Sequence, residues 1–258
     1  MHQQLLHAGP QSTLYNLRQR YWVINGNGTA IAYLDDILIP SQTIDEGFAK
    51  LEMVLQLLQK YTLTLQPSKC KFFLPEIKYL GREISAAGVR PDRYKVDAIT
   101  QLKTPTTKKE LRQFLGLSNY FRKFISNYAF IVQPLTKLLR KKSVWTWGDD
   151  QEEAFDLVKS TLSASPLLKI FDSKLPTQLH CDASSLGVAG ILLQQHHGKW
   201  HPVAYFSKQC SSEQSRYHSY ELETMALVFS LRHFRVYLLG IHFTVLTDCA
   251  AIRATASK

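Results

Sequence analysis

Two acidic constellations carry the chemistry this chain could perform. Asp35 and Asp36 stand side by side between apolar arms in TAIAYLDDILIPS, residues 29–41. Adjacent carboxylates repel unless water or a divalent cation neutralises them, so the pair reads either as an ordinary Asp-Asp turn or as part of a metal site. The second set, Asp182, Glu223 and Asp248, is spread along the last third of the chain. Asp182 interrupts an apolar run at His180-Cys181-Asp182, and Asp248 ends the β-rich run 243–247, positions where burial would be costly without a cation. Glu223 lies among Leu222, Met225 and Ala226, on the apolar side of its segment. Carboxylates converging from separate elements suit a two-metal phosphodiester hydrolase, in which one ion activates water and the other supports the leaving oxygen. Composition alone leaves open whether these three meet.

The elements that must position them follow from periodicity and turn chemistry. Residues 29–41 read as a tight hairpin with Asp35 and Asp36 at its tip. Thr43 and Glu46 form a capping-box pattern ahead of Phe48, Leu51, Leu55 and Leu58, which predicts a helix ending near Lys60. Residues 62–90 alternate short apolar runs with turn signals, as two or three small strands would. From Pro91 the pattern turns helical: Val96, Ile99 and Leu102 share a face, and Thr107 with Glu110 caps a run marked by Leu111, Phe114, Leu115 and Phe121. Trp145 and Trp147 precede another helix at about 150–163 and are expected to pack a junction between two halves. The remainder offers strands at TQLHCDAS, VAGILLQQ and HPVAYFS, a helix from about Ser219 to Tyr237, and a strand HFTVLTD. Three strands, a helix and a strand suit a mixed sheet covered by helices, an α+β arrangement.

Length and composition bound the rest. At 258 residues the chain is long enough for about two domains, and 45% apolar with 20% charged residues describes a folded chain. No stretch approaches the roughly 20 apolar residues of a spanning helix, and the N-terminus lacks a secretory pattern, so an intracellular protein, cytoplasmic or nuclear, without a membrane partner is expected. Cys70, Cys181, Cys210 and Cys249 form no CxxC pair and are expected to be reduced and structural. Residues 101–145 hold 10 basic residues against one acidic residue, Glu110. Lys108, Lys109, Arg112, Arg122, Lys123, Arg140, Lys141 and Lys142 therefore stand either as a surface for polyanions or as a solvated helix face.

At these residues the chain resembles the polymerase and ribonuclease H regions of gypsy-type LTR retrotransposon polyproteins. Tyr33-Leu34-Asp35-Asp36 resembles the YxDD polymerase motif, and LTLQPSKCKFF and YLGREISAAGVRPD resemble the segments after it that place the primer end. FLGLSNYFRKFI resembles the thumb and connection. TQLHCDASSLGVAGILLQQ, YELETMALVFSLRHFRVYLLG and FTVLTDCAAIRA resemble the ribonuclease H domain, in family order. The resemblance implies a partial palm at 29–90, a thumb and connection at 91–165 and a truncated ribonuclease H-like domain at 166–258. It implies that Asp35 and Asp36 belong to the polymerase metal site, with Lys69 as a proton donor to pyrophosphate or simply a surface lysine. It further implies that Asp182, Glu223 and Asp248 hold two Mg²⁺ ions, with Mn²⁺ as the alternative, and that Ser184 touches the RNA strand of an RNA–DNA hybrid or primer–template duplex. Glu221 competes for the helical position, but only Glu223 has the family's Glu-x-x-Ala-x-Val context.

The departures shape the expectation as much as the match. Residues 1–28 resemble instead the start of an integrase zinc-binding region of the BEL/Pao type, in which His2 and His7 would need a later CxxC; none follows, so no zinc is expected. The family's upstream polymerase aspartate and a further acidic residue downstream of Asp248 have no counterpart here. The chain is therefore expected to derive from RNA-directed DNA synthesis and hybrid cleavage but to be impaired in both, the alternative being a non-catalytic nucleic-acid-binding relic.

Overall fold

The structure is a computed structural model that describes residues 30–33, 36–141 and 143–249. His2, His7, Asp35 and Lys142 lie outside them, as does residue 1–28 as a whole. The chain divides into two compact units, Met1–Leu74 and Pro75–Lys258.

In the first unit, β1 (Ile31–Tyr33) and β2 (Asp36–Leu38) pair antiparallel, with Tyr33 opposite Asp36, so the hairpin forms where expected. Helix α1 (Ile44–Lys60) follows. Its capping box closes as the sequence predicts: the Glu46 amide donates to Thr43 Oγ1 at 3.2 Å, and the Gln42 amide donates to Glu46 Oε2 at 2.8 Å. A 3₁₀ turn at Pro67–Lys69 and the Phe48–Phe73 ring contact at 4.7 Å bring the end of the unit back onto α1.

The second unit opens with an antiparallel meander of β3 (Glu76–Tyr79), β4 (Arg82–Ser85) and β5 (Gly88–Pro91). Five helices follow: α2 (Arg93–Thr100), α3 (Lys108–Tyr120), α4 (Tyr128–Ile131), α5 (Gln133–Leu138) and α6 (Asp149–Ser163), with a 3₁₀ turn at Arg122–Phe124 after α3. Their apolar faces form one core around Phe114, Phe121, Phe124, Leu135, Phe155 and Leu162, all essentially without solvent contact. Trp145 and Trp147 stack on each other at 5.9 Å, and Trp147 meets Phe155 at 6.0 Å. They pack on this helical core rather than at a junction between halves, because the stretch between α5 and α6 folds back along α6.

Next come β6 (Thr177–Ser184), β7 (Gly187–His196) and β8 (Lys199–Gln209), then α7 (Ser219–His233), α8 (Arg235–Leu238) and β9 (Thr244–Leu246). The sheet order is β8-β7-β6-β9, antiparallel except for the parallel β6–β9 pair, so the expected mixed sheet is found. A second core joins Leu179, Val188 and Leu192 of the sheet to Ala226, Phe234 and Leu238. The segment from Ser219 to Tyr237, read as one helix, breaks after His233, where the fully buried Phe234 anchors the turn.

Two features depart from the boundaries implied above. The meander β3–β5 falls in the second unit, not with the hairpin: the Val89 amide donates to Leu168 O at 2.8 Å and the Leu168 amide returns a bond of 2.9 Å to Val89 O. The helical core and the mixed sheet are also one body, joined through β8. The Ala129 amide donates to Ser207 Oγ at 2.9 Å, Gln209 Nε2 donates to Ala129 O at 2.8 Å and to Thr136 Oγ1 at 3.1 Å, and the Arg122 guanidinium donates to Ser207 O.

Candidate active site

The three separated carboxylates of the second unit are placed by adjacent elements. Asp182 is the sixth residue of β6, near its carboxyl end. Strand alternation sends Leu179 and Cys181 into the core and leaves Asp182 exposed. The parallel register pairs Gln178 with Thr244 and His180 with Leu246, so continuing it two residues sets Asp248 level with Asp182 at the same end of neighbouring strands. In open sheets the carboxyl end of parallel strands is the usual place for a ligand.

Helix α7 supplies the third group. Its start is closed by the His218 amide donating to Glu221 Oε2 at 2.9 Å, which commits Glu221 to the cap and leaves it exposed. Glu223, two residues on, is only 6% exposed, and its Oε2 is buried with no hydrogen-bond partner. Of the two glutamates, only Glu223 is buried. Burial holds the Glu223 carboxyl above its usual range, and the charges of Asp248 and then Asp182 push it further, against an opposing pull from the Ala183 amide. Burial falls on Glu223 alone of the three; Asp182 and Asp248 are exposed, so the cost of burying them is not incurred.

Sequence reasoning passed over the ground beneath Glu223. Cys181 is buried, its thiol pushed up to about 11 mainly by that burial, with Ser230 opposing and Glu223 adding to the rise. Ser230 lies seven residues after Glu223, two helical turns along the same face, and that spacing was the available signal. The thiols of all four cysteines are free.

Oxygen donors of this kind match a hard divalent cation such as Mg²⁺, and a buried carboxylate oxygen without a partner, beside two further carboxylates, fits one. Among the described residues no three histidine, cysteine or carboxylate side chains stand close enough to hold one ion as placed. Asp182, Glu223 and Asp248 share an electrostatic field rather than a closed coordination sphere.

The other singled-out residues are distributed as follows. Asp36 is exposed at the start of β2, and Lys69 is exposed at the end of its 3₁₀ turn. Ser184 ends β6 and accepts from the Leu186 amide at 3.2 Å, shaping the β6–β7 turn. Lys109, Arg112, Arg140 and Lys141 are exposed. Three of the proposed polyanion contacts are instead drawn into the fold: Lys108 Nζ donates to Ser143 O at 2.7 Å, Arg122 donates to Ser207 O, and Lys123 is half-buried over the Phe124 ring at 4.9 Å. Their stems are apolar enough to pack even though their heads are charged. No helix among the described residues is long and apolar enough to cross a membrane.

Comparison with known proteins speaks to the family and the fold. Residues 11–84 match the family described as reverse transcriptase (RNA-dependent DNA polymerase), a match that begins inside the segment likened above to an integrase. Residues 147–245 match the RNase H-like domain found in reverse transcriptase. The chain is 38% identical over 221 residues, 84% of its length, to the Transposon Tf2-3 and Tf2-4 polyproteins of Schizosaccharomyces pombe, and it spans 17% of those polyproteins. Among solved structures it resembles a foamy viral protease-reverse transcriptase in complex with double-stranded DNA, with a TM-score of 0.78 at 22% identity over 96% of this chain and 44% of that one. The foamy viral enzyme in complex with an RNA/DNA hybrid gives 0.74 at 23% identity over 95% of this chain and 33% of that one, and both likenesses speak to the fold. With the two family matches in chain order and this identity to the transposon polyproteins, the chain belongs to the reverse transcriptase–ribonuclease H region of gypsy-type LTR retrotransposon polyproteins.

Proposed function

We propose that the second unit hydrolyses the RNA strand of an RNA–DNA hybrid at Asp182, Glu223 and Asp248, and that the first unit derives from the palm of an RNA-directed DNA polymerase in which Asp35 and Asp36 belong to the metal site and Lys69 faces the leaving pyrophosphate. The observation that carries the hydrolytic reading is the Glu223 carboxylate, buried, without a partner at Oε2, and raised by that burial and then by the charges of Asp248 and Asp182. A side chain so placed is unfavourable for folding and has a use only when positive charge arrives. Mg²⁺ or Mn²⁺ held by the three carboxylates would supply an activated water and charge stabilisation for the leaving oxygen. The residues' own parts are distinct: Asp182 and Asp248 offer exposed oxygens to solvent and substrate, while Glu223 fixes the inner side of the site from a rigid helix. Ser184, in the turn just beyond Asp182, is positioned to meet the RNA strand, where a 2′-hydroxyl distinguishes RNA from DNA.

A labelled RNA–DNA hybrid incubated with the full chain and Mg²⁺ tests this. Cleavage of the RNA strand that disappears in Asp182→Asn and Glu223→Gln supports the assignment. Cleavage indifferent to both substitutions, or none by a chain that binds the hybrid, overturns it.

A second reading, duplex binding without catalysis, draws on a different observation. The Lys108–Ser143 bond joins the start of α3 to the segment after α5, the two stretches that carry the exposed cations Lys109, Arg112, Arg140 and Lys141, and none of these four enters an ion pair among the described residues. Such a surface predicts hybrid binding that weakens steeply with salt and needs no Mg²⁺. Binding that stays flat from low to high salt would exclude it.

A further inference from the structure

The hairpin that joins β7 to β8 is rich in imidazole. His196 closes β7 and pairs with Lys199, which opens β8, so His197 and Gly198 form a two-residue turn with φ of +50° and +77°. Two consecutive left-handed residues are what a type I′ hairpin turn requires. The next pair on the same face is Gln194 with His201. His196 and His201 are therefore diagonal neighbours across the ladder, within reach of each other's side chains. Their ring centroids stand 6.0 Å apart at an interplanar angle of 75°.

The stretch before β6 fixes this face. The Asp172 amide donates to Gln194 Oε1 at 2.9 Å, and Gln194 Nε2 donates to Asp172 O at 2.7 Å and to Thr177 Oγ1 at 2.9 Å. The Lys169 amide donates to Pro202 O at 2.8 Å, beside His201. Within this frame His196 Nε2 is buried and meets no hydrogen-bond partner. A ring nitrogen shut away from water loses its bond to solvent and here gains none in return, which is unfavourable.

A proton does not relieve it. Burial holds the His196 imidazole below its ordinary range, the charges of Lys169, His201 and His197 lower it further, and only Asp172 opposes them. The ring is neutral at neutral pH, and a neutral imidazole nitrogen is a ligand for a transition-metal ion. Imidazole suits Zn²⁺, Ni²⁺ and Cu²⁺, whereas Mg²⁺ prefers oxygen. His201 is half-buried, and turning its ring edge toward His196 Nε2 takes rotation about a soft terminal torsion. Among the described residues no third histidine, cysteine or carboxylate completes the group as placed, so water fills the remaining positions of the ion.

We propose that His196 and His201 form a two-imidazole site for a divalent transition-metal ion of the Zn²⁺, Ni²⁺ and Cu²⁺ class. The site is distinct from the three carboxylates: Asp182 pairs with Ala189, seven residues back along β7, which places roughly 20 Å of strand between them. An ion held by the two rings clips β7 to β8 beside their turn.

The test is nuclear magnetic resonance of the full chain carrying nitrogen-15 histidine, titrated with Zn²⁺ in a buffer that contains Mg²⁺. Zn²⁺ is expected to move a ring-nitrogen resonance of both His196 and His201 over one shared titration, before those of His180, His233 and His242, while Mg²⁺ alone moves neither. In His201→Gln the His196 resonance should need at least about tenfold more Zn²⁺ for the same shift, and in His196→Gln the His201 resonance likewise, because each variant leaves one arm of the chelate. His197→Gln, in the turn, leaves both responses unchanged. Movement of one ring without the other in the wild type, or an unchanged Zn²⁺ requirement for His196 in His201→Gln, overturns the site and leaves the ring contact as packing alone. The wild-type titration decides even where a variant fails to fold.

Discussion

Gly190 of β7 and Ser230 of α7 mark where helix and sheet approach most tightly: a Cβ on Gly190 would stand 2.3 Å from Ser230 Oγ and 2.9 Å from Ser230 Cβ. Only a residue without a side chain lets α7 settle at this depth, and that depth is what carries Glu223, two turns earlier, down to the level of Asp182. Gly190→Ala is expected to lift the helix and lower stability by about 1–3 kcal/mol, the usual range for overpacking. A Gly190→Ala/Ser230→Gly double variant should lose less than the sum of its single changes, measured as a double-mutant cycle in urea. Strict additivity would mean that the two residues do not limit the approach.

Glu223→Gln should separate stability from activity. The Glu223 carboxyl is raised in the fold, so the folded chain holds the proton more tightly than the unfolded chain does. Its contribution is therefore neutral below the ordinary value of 4.5, becomes unfavourable as pH rises toward the raised value, and stays so above it. At pH 7.5 without metal, the glutamine variant should melt higher, by roughly 2–4 °C for each kcal/mol relieved, and the gain should vanish near pH 4. Added Mg²⁺ should raise the melting temperature of the wild type and not that of the variant. Equal shifts in both would remove Glu223 from the metal set.

Lys123 offers a titration with the opposite sense. Its ammonium is lowered to about 7 against an ordinary 10.5, so the charged form is disfavoured in the fold. The cost is absent above 10.5, grows as pH falls, and is complete below about 7. Lys123→Met is accordingly expected to be more stable than wild type at pH 6, with the advantage shrinking at pH 9. Nuclear magnetic resonance of the Lys123 side chain should show its midpoint rise in Arg82→Gln, since removing the guanidinium removes a repulsion; an unmoved midpoint would separate the two groups.

Ser207→Ala tests the joint between the helical core and the sheet. Ser207 Oγ accepts from the buried Ala129 amide, and its loss leaves that N–H without a partner, at a cost of about 1–3 kcal/mol. Because the two parts are one body, a single cooperative unfolding transition with a lower midpoint is expected. Two separated transitions in the wild type would show that the joint does not couple them.

Much of this was legible before any coordinates. The Thr43–Glu46 and Thr107–Glu110 pairs announced α1 and α3 because capping is local chemistry, and TQLHCDAS coincides with β6 because alternation marks a half-buried strand. The carboxylates 182, 223 and 248 were legible only through resemblance, since nothing local says that three distant side chains share a field. The fates of Lys108, Arg122 and Lys123 were not legible: charge counting treats a basic residue as solvated, whereas each of these is fixed by a partner 35 or more residues away or by burial. The division at Leu74–Pro75 was hidden for the same reason, because the Val89–Leu168 bridge joins segments that sequence order keeps apart.

The joint at β8 has a bearing on how this chain behaves in company. β8 is the border of the mixed sheet, and an uncovered border strand invites pairing with a second molecule. Here Pro202 removes one donor from that border, the Pro202 carbonyl accepts from the Lys169 amide, and Arg122 takes the carbonyl of Ser207. What fastens the sheet to the helices therefore also blunts its rim, and loosening Ser207 or Arg122 would expose a template for aggregation.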